Sequence, residues 1–270
     1  MTGTSGANAV IAKRAAALLQ ARGVSRSFGG IKAVSGFDLE VREGELVALI
    51  GPNGAGKTTV FNLMTGVYRP DAGTLDFRGD SLVGLPPHRI VEKGIARTFQ
   101  NIRLFRHLSV LDNVRAAHFG RARTPALASL LRSPRCRADE REVIASSRSY
   151  LAALGLEGEA ETIAGSLPYG RQRRLEIARA LATRPALLLL DEPAAGMNPP
   201  EVEEMMELIL RLRREFSLTV LLIEHQMRMV MGAAERIVVL EFGETIAEGT
   251  PEEIRANERV VTAYLGGDAT

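Results

Sequence analysis

The sequence predicts an α/β fold built on a mainly parallel sheet, and three observations carry that expectation. Short, almost wholly apolar runs alternate with segments of helical spacing, as strands and helices do around a parallel sheet. The runs are ELVALI (Glu45 to Ile50), ALLLL (Ala186 to Leu190) and the strand in SLTVLLIEH; ALLLL is apolar throughout, as strands buried on both faces are. Between the first run and the helix-like TVFNLMTG (Thr59 to Gly66) lies GPNGAGKTT, Gly51 to Thr59. Its Gly51, Gly56, Lys57 and Thr58 fit the phosphate-loop pattern G-x-x-x-x-G-K-[ST]. Lastly, ALLLL runs into Asp191 and Glu192, two acids at the carboxyl end of a strand, where α/β sheets bind ligands.

Bulk properties set the frame. The 270 residues, 46% apolar and 24% charged, suit a globular protein of one or two domains. The lone cysteine, Cys136, rules out a disulfide framework and fits a reducing compartment. No apolar run reaches the roughly 18 residues of a membrane-spanning helix. Lys13 and Arg14 interrupt the N-terminus, so no secretory pattern forms. A net charge of +2 is too mild to argue for nucleic acid.

In chain order, residues 1–16 are small and polar, then weakly helical, and read as a flexible tail; residues 17–270 read as one folded unit. LLQARGVSRSF and GFDLEVREGELVALI are strand-like, punctuated by Gly29-Gly30 and Glu43-Gly44. Phe28 could stack on an adenine or fill a core, and periodicity favours the core. In the loop, Pro52, Asn53 and Ala55 separate Gly51, Gly54 and Gly56, whose missing Cβ atoms let the backbone curl around phosphates. Lys57 would reach the β- and γ-phosphates, and the Thr58 hydroxyl, next to Thr59, would ligate Mg²⁺. LPPHRIVEKGI suits a helix opened by Pro86 and Pro87. Gln100 ends the strand-like GIARTFQ, either facing a nucleotide or simply solvated.

Residues 101–165 carry alanine, leucine and arginine in helical rhythm and read as a helical subdomain. Seven arginines against three acids from Arg121 to Arg148 give it a basic face, solvated or set against anionic lipid or an acidic partner. SLPYGRQRRLEIARALATRP reads as a loop, Ser166 to Gly170, opening a helix to about Ala182, whose N-terminus is a second anion site. Asp191 is placed to hold Mg²⁺ and Glu192 to polarise an attacking water. Glu201 to Phe216 is an amphipathic helix on Val202, Met205, Met206, Ile209 and Leu212. His225 follows a buried strand and is either structural or a donor to a γ-phosphate. MRMVMGAA reads as a helix, RIVVLEFGETIAEG as a hairpin turning at Gly243, and PEEIRANERVVTAYLG as a helical tail.

Together these residues resemble the ATP-binding subunit of an ABC transporter, from Leu18 to Gly266. The phosphate loop fits many nucleotide hydrolases; LPYGRQRRLEIARAL, about 20 residues before LLLLDEP, is similar to the far more specific ABC signature. The resemblance implies a RecA-like P-loop NTPase core with an antiparallel β subdomain and an inserted helical subdomain. It implies ATP and Mg²⁺ as ligands. Phe28 matches the adenine-stacking aromatic, which reverses the preference from periodicity. Gln100 matches the Q-loop glutamine that senses Mg²⁺ and the membrane subunit. Leu167 to Arg171, with Tyr169 and Gly170, match the signature. Asp191 and Glu192 match the Walker B pair, His225 the switch histidine, and Ala195 to Asn198 the loop crossing the dimer interface. The implied mechanism is head-to-tail closure of two subunits over two ATP molecules, with Glu192, His225 and Gln100 in the catalytic roles.

IARTFQNIRLF, LPYGRQRRLEIARAL, DEPAAGMNPPE and GTPEEIRANERVVTAYLG look like the LivG-type subunits of branched-chain amino acid importers. Those pair with a LivF-type ATPase, two membrane permeases and a periplasmic binding protein at the cytoplasmic face of the inner membrane. Cargoes such as urea or short amides, or lipopolysaccharide export, are the alternatives within the family. A DNA-repair or chromosome ABC protein would carry a coiled coil or zinc modules in the 66-residue gap after Gln100, which has neither sustained heptads nor cysteine pairs. A ribosome-binding factor would carry two phosphate loops. Relative to LSGGQ, Pro168 removes a hydroxyl, Tyr169 replaces a glycine, and Arg171 adds positive charge facing the phosphates. Asn198 replaces an aspartate of the crossing loop.

Overall fold

The computed structural model describes residues 17–118 and 134–265. The expected N-terminal tail, the basic run from Arg121 to Arg132 and Gly266 lie outside the described residues, as do the side chains of Arg135, Cys136 and Arg137.

The chain opens with two long antiparallel strands, β1 (Ala17–Phe28) and β2 (Ile31–Arg42), joined at Gly29-Gly30. Next come β3 (Leu46–Ile50), α1 (Lys57–Met64), β4 (Ala72–Phe77), β5 (Asp80–Ser81), α2 (Pro87–Lys93) and β6 (Ile95–Arg97). Two helices follow, α3 (Val110–His118) and α4 (Pro134–Ala153). The signature run forms α5 (Tyr169–Ala182). The remainder is β7 (Leu187–Asp191), α6 (Pro199–Glu215), β8 (Thr219–Ile223), α7 (Met227–Ala233), β9 (Arg236–Glu241), β10 (Glu244–Gly249), α8 (Pro251–Arg255) and α9 (Glu258–Leu265).

These strands make two sheets. One is antiparallel, in the order β2-β1-β4-β5. The other runs β10-β9-β3-β8-β7-β6 and is parallel from β9 to β6, with β10 returning antiparallel at its edge. The apolar runs expected from the sequence are its central strands. Alternate side chains explain why they are almost wholly apolar: Leu46, Ala48, Ile50, Leu188, Leu190, Val220 and Leu222 enter one core, with the helices. Val47, Leu49, Leu187, Leu189, Leu221 and Ile223 enter a second, with α1 and the antiparallel sheet. A polar residue on either face would be buried without a partner, at a cost of about 1–3 kcal/mol.

Some boundaries differ from the expected ones, each for a local reason. The helix at the signature starts at Tyr169, so Tyr169 and Gly170 belong to its first turn rather than to the preceding loop. The C-terminal tail is two helices. Asn257 separates them, and its Oδ1 accepts from the amides of Arg259 and Val260 at 3.0 and 3.3 Å. The hairpin turns at Phe242-Gly243, both with positive φ (48° and 83°), which suits a two-residue hairpin turn. Of the expected apolar face of α6, Met206 is only half-buried, while Leu208 joins the buried stripe.

The departure at Asn198 has a structural use. Asn198 is the N-cap of α6: its Oδ1 accepts from the Glu201 amide at 3.0 Å, and Glu201 Oε2 accepts from the Asn198 amide at 2.9 Å. Asparagine caps as well as aspartate does. Asn198→Ala is expected to cost about 1 kcal/mol in a denaturant titration, and Asn198→Asp close to nothing.

Candidate functional site

The site forms where β3, β6, β7 and β8 end side by side. Gly51 follows β3, and the loop from Gly51 to Gly56 leads into α1. Gly51 has φ +151° and Gly56 φ +103°; a Cβ on either would lie 2.1 Å from the Leu240 carbonyl oxygen or 2.4 Å from that of Ala33. Only glycine lets the loop pack this closely on its neighbours. The Ala55 carbonyl accepts from the Gly243 amide at 2.9 Å, so the hairpin after β9 pins the loop. The first intrahelical bond is from Val60 N to Gly56 O at 3.0 Å, and Gly56 supplies no side-chain cap. The amides of Lys57, Thr58 and Thr59 therefore have no acceptor within the helix, which is what an anion site needs.

Lys57 folds back along the loop. Its Nζ donates to the carbonyl oxygens of Gly51 and Pro52 at 2.6 and 3.0 Å. Burial pushes its pKa below the ordinary lysine value, against the opposing pull of Glu192 and Asp191. Lys57 and the two acids are thus close enough to form one electrostatic cluster.

Asp191 closes β7, buried, and its Oδ2 pairs with Arg97 Nη2 at 2.7 Å. Arg97, at the end of β6, also donates to Asn62 Oδ1 on α1 at 2.7 Å. Glu192 follows with φ +48°, a left-handed conformation that costs a non-glycine residue about 1–3 kcal/mol and tends to occur at functional sites. Its amide donates to Ile223 O at 2.9 Å, across to β8. Glu192 Oε2 accepts from Gln100 Nε2 at 2.8 Å and lies 3.8 Å from His225 Nδ1. Gln100, Glu192 and His225, separate in sequence, meet at one oxygen.

Sequence reasoning missed Glu224, the residue before His225. It is fully buried. Its Oε1 accepts from the Ala194 amide at 2.9 Å, and its Oε2 from the amides of His225 and Gln226 at 3.0 and 3.1 Å. Gln226 Nε2 returns to Ala194 O at 2.9 Å. This carboxylate ties the loop after Glu192 to the loop carrying His225. An acid closing an all-apolar strand, as Asp191 also does, was the available signal.

Phe28 lies at the end of β1, outside the core that periodicity favoured. It is 38% exposed and packs edge-on to Tyr68, with ring centroids 5.0 Å apart. At the start of α5, Pro168 provides no side-chain cap, and the amides of Tyr169 and Gly170 have no acceptor within the helix. Arg171 Nη1 pairs with Glu159 Oε2 at 2.6 Å and donates to Gly155 O at 3.3 Å.

Among the described residues, no group of three or more His, Cys, Asp or Glu side chains could hold a metal ion. One carboxylate (Asp191), one hydroxyl (Thr58) and one amide oxygen (Gln100) suit Mg²⁺, which is commonly held by a carboxylate or two together with substrate phosphates.

A phosphate loop on a strand–helix junction, with a carboxylate pair at the end of a neighbouring strand, defines a P-loop nucleotide-binding α/β protein. The family model described as ABC transporter matches residues 34–195, and the chain belongs to that family of ATPases. A second model, branched-chain amino acid ATP-binding cassette transporter, matches residues 244–270. The chain is 48% identical over 249 residues to the high-affinity branched-chain amino acid transport ATP-binding protein BraF of Pseudomonas aeruginosa, covering 92% of this chain and 98% of that one. Its identity to LivG of Salmonella typhimurium, described in the same words, is 49%, with the same coverage. Among solved structures, an ABC transporter ATP-binding cassette in its ADP conformation superposes with a TM-score of 0.81 at 29% identity, covering 93% of this chain and 99% of that one. A dimeric ATP-binding cassette bound to ADP and Pi superposes with a TM-score of 0.72 at 26% identity, covering 86% and 98%. Among the described residues, no helix is long and apolar enough to cross a membrane.

Proposed function

We propose that this chain hydrolyses ATP to power an importer of branched-chain amino acids, docked at the cytoplasmic face of the inner membrane. The observation that carries the hydrolytic part is the meeting of Gln100, Glu192 and His225 beside Lys57 and Asp191. Phosphoryl transfer is mostly positioning and charge neutralisation. Lys57 and the amides of Lys57 to Thr59 hold the phosphates of ATP, with Pro52, Asn53, Gly54 and Ala55 shaping the loop. Phe28 stacks on the adenine. Thr58, Asp191 and Gln100 would hold Mg²⁺, which would supply positive charge to offset that of the phosphates. Glu192 takes the proton of the attacking water, and His225 donates to the γ-phosphate. Tyr169 and Gly170 face the nucleotide of a second ATPase subunit, LivF-type or another copy of this chain, in a head-to-tail pair. Two permease subunits and a periplasmic binding protein complete the assembly; nucleic acid has no part.

The cargo reading is supported by the match over residues 244–270 and by the names of the two relatives. The test is uptake of labelled leucine by cells lacking this subunit, with wild type or Glu192→Gln restored. Uptake should return with wild type alone. If leucine uptake never depends on the chain, the cargo assignment falls, and labelled urea becomes the next substrate to offer.

A further inference from the structure

Arg173 lies on α5, one turn after Tyr169, and is 3% exposed. A guanidinium buried at this depth needs most of its donors matched; the two terminal nitrogens carry the bonds, and Nε has no hydrogen-bond partner. Here Nη1 donates to Phe99 O at 2.6 Å and to Glu176 Oε2 at 3.3 Å, and Nη2 to Gln100 O and to the Tyr169 hydroxyl, the latter at 2.9 Å. Glu176, also buried, accepts through Oε1 from the amides of Phe99 and Arg103 at 3.2 and 3.3 Å. Burial raises the Glu176 carboxyl above its ordinary pKa, against the pull of those donors and of Arg173. A buried pair of this kind is weak support for stability, because desolvation offsets the attraction; its use is to fix one arrangement. What it fixes is the stretch from Phe99 to Arg103, which carries Gln100.

The two ends of the network differ. At one end Tyr169 is 47% exposed, at the start of a helix whose first amides are open, with its ring beside Gly196 in the loop after Glu192. At the other end Gln100 Nε2 holds the Glu192 carboxylate. Tyr169 thus reaches Glu192 through Arg173 and Gln100 in successive hydrogen bonds. We propose that Arg173 is a positioning residue that couples the two nucleotide sites of the ATPase pair. Engagement of Tyr169 by the nucleotide of the second subunit is passed through Arg173 to the backbone of Gln100, and so to the placement of Glu192. The inference rests on the head-to-tail pairing proposed above.

The test is a double-mutant cycle on ATP hydrolysis by the full-length chain in its assembled transporter. Tyr169→Phe removes only the hydroxyl. Arg173→Gln removes the fork, and Arg173→Lys keeps the charge without it. Each of the first two is expected to lower kcat about tenfold while KM for ATP stays within about twofold. The double variant should be no slower than Arg173→Gln alone, because the residues act in series. Arg173→Lys should recover little, since one ammonium cannot serve the fork's acceptors. Two independent losses that multiply would overturn the relay. So would a lowered melting midpoint for Arg173→Gln with kcat per folded molecule unchanged, which marks a purely structural pair. The parent reading is separable: if Glu192→Gln still associates on adding ATP while the cycle is additive, only the relay falls. If Glu192→Gln associates on adding ATP neither with another copy of itself nor with the LivF-type subunit, the head-to-tail reading and the relay fall together.

Discussion

Glu192→Gln is expected to lower ATP hydrolysis by about 10²–10⁴-fold, the range of a lost general base, while ATP still binds. The substitution keeps size and shape, and its amide oxygen can still accept from Gln100 Nε2, the bond that Glu192 Oε2 accepts at 2.8 Å. It removes the one property hydrolysis needs here, an anionic oxygen able to take a proton from water. It also removes a negative charge beside the phosphates, so the ATP-bound pair should accumulate in its closed form. Three measurements define the outcome: turnover at saturating ATP, equilibrium binding of labelled ATP, and mass by light scattering with and without ATP. Turnover at the wild-type rate would remove Glu192 as the base. Lost binding would mean that the carboxylate supports the loop rather than the chemistry.

How Glu192 is held illustrates which parts of the site a sequence discloses. The acid pair at the end of an apolar strand follows from residue type and order alone, because a charge closing a doubly buried strand stands at the strand's carboxyl end, where α/β sheets bind ligands. The left-handed backbone at Glu192 leaves no such trace, since nothing in DEP distinguishes it from an ordinary turn. The meeting of Gln100, Glu192 and His225 depends on strand order, as β6 and β8 flank β7, and order is a long-range property. Local composition does not encode it; the resemblance to a known family supplied the pairing of roles.

The residues that sequence reasoning passed over share one cause. Arg97, Arg173, Glu176 and Glu224 are charged, so by composition they read as solvated, yet the side chain of each is almost wholly buried and bonded. Arg173 stands beside Arg171 and Arg174, which are paired at the surface with Glu159 and Glu204. Helical phase alone does not single it out, because α5 is covered on more than one side. For Phe28 periodicity alone points the opposite way, because an aromatic at the end of a strand reads as core; the resemblance reverses that reading, and the ring is 38% exposed. The phosphate loop was fully legible because its geometry demands particular residue types at fixed spacing.

Lys57→Ala is expected to weaken ATP binding by about 10–100-fold, the loss of one or two charge-assisted bonds to phosphate. The fold should tolerate the change, and the magnitudes say why. The Lys57 amine donates to the carbonyl oxygens of Gly51 and Pro52, bonds worth about 0.5–1.5 kcal/mol each. Yet the amine is buried and its pKa is driven below the ordinary lysine value by desolvation, so removing it also relieves a cost that works against the loss of those bonds. Melting without nucleotide should therefore shift little, while stabilisation by added ATP should largely disappear. The lowered pKa sets a second expectation with a definite sign. The free protein loses the Lys57 proton at lower pH than an ordinary lysine does. Wild-type ATP affinity should accordingly decline as pH rises toward the ordinary lysine range, with the weak affinity of Lys57→Ala flat across the same window. Lys57→Arg, which stays charged throughout, should abolish the decline even if its longer side chain binds less tightly. Unchanged affinity in Lys57→Ala would leave phosphate binding to the loop amides alone, and the buried amine would then be a strut between Gly51 and Pro52.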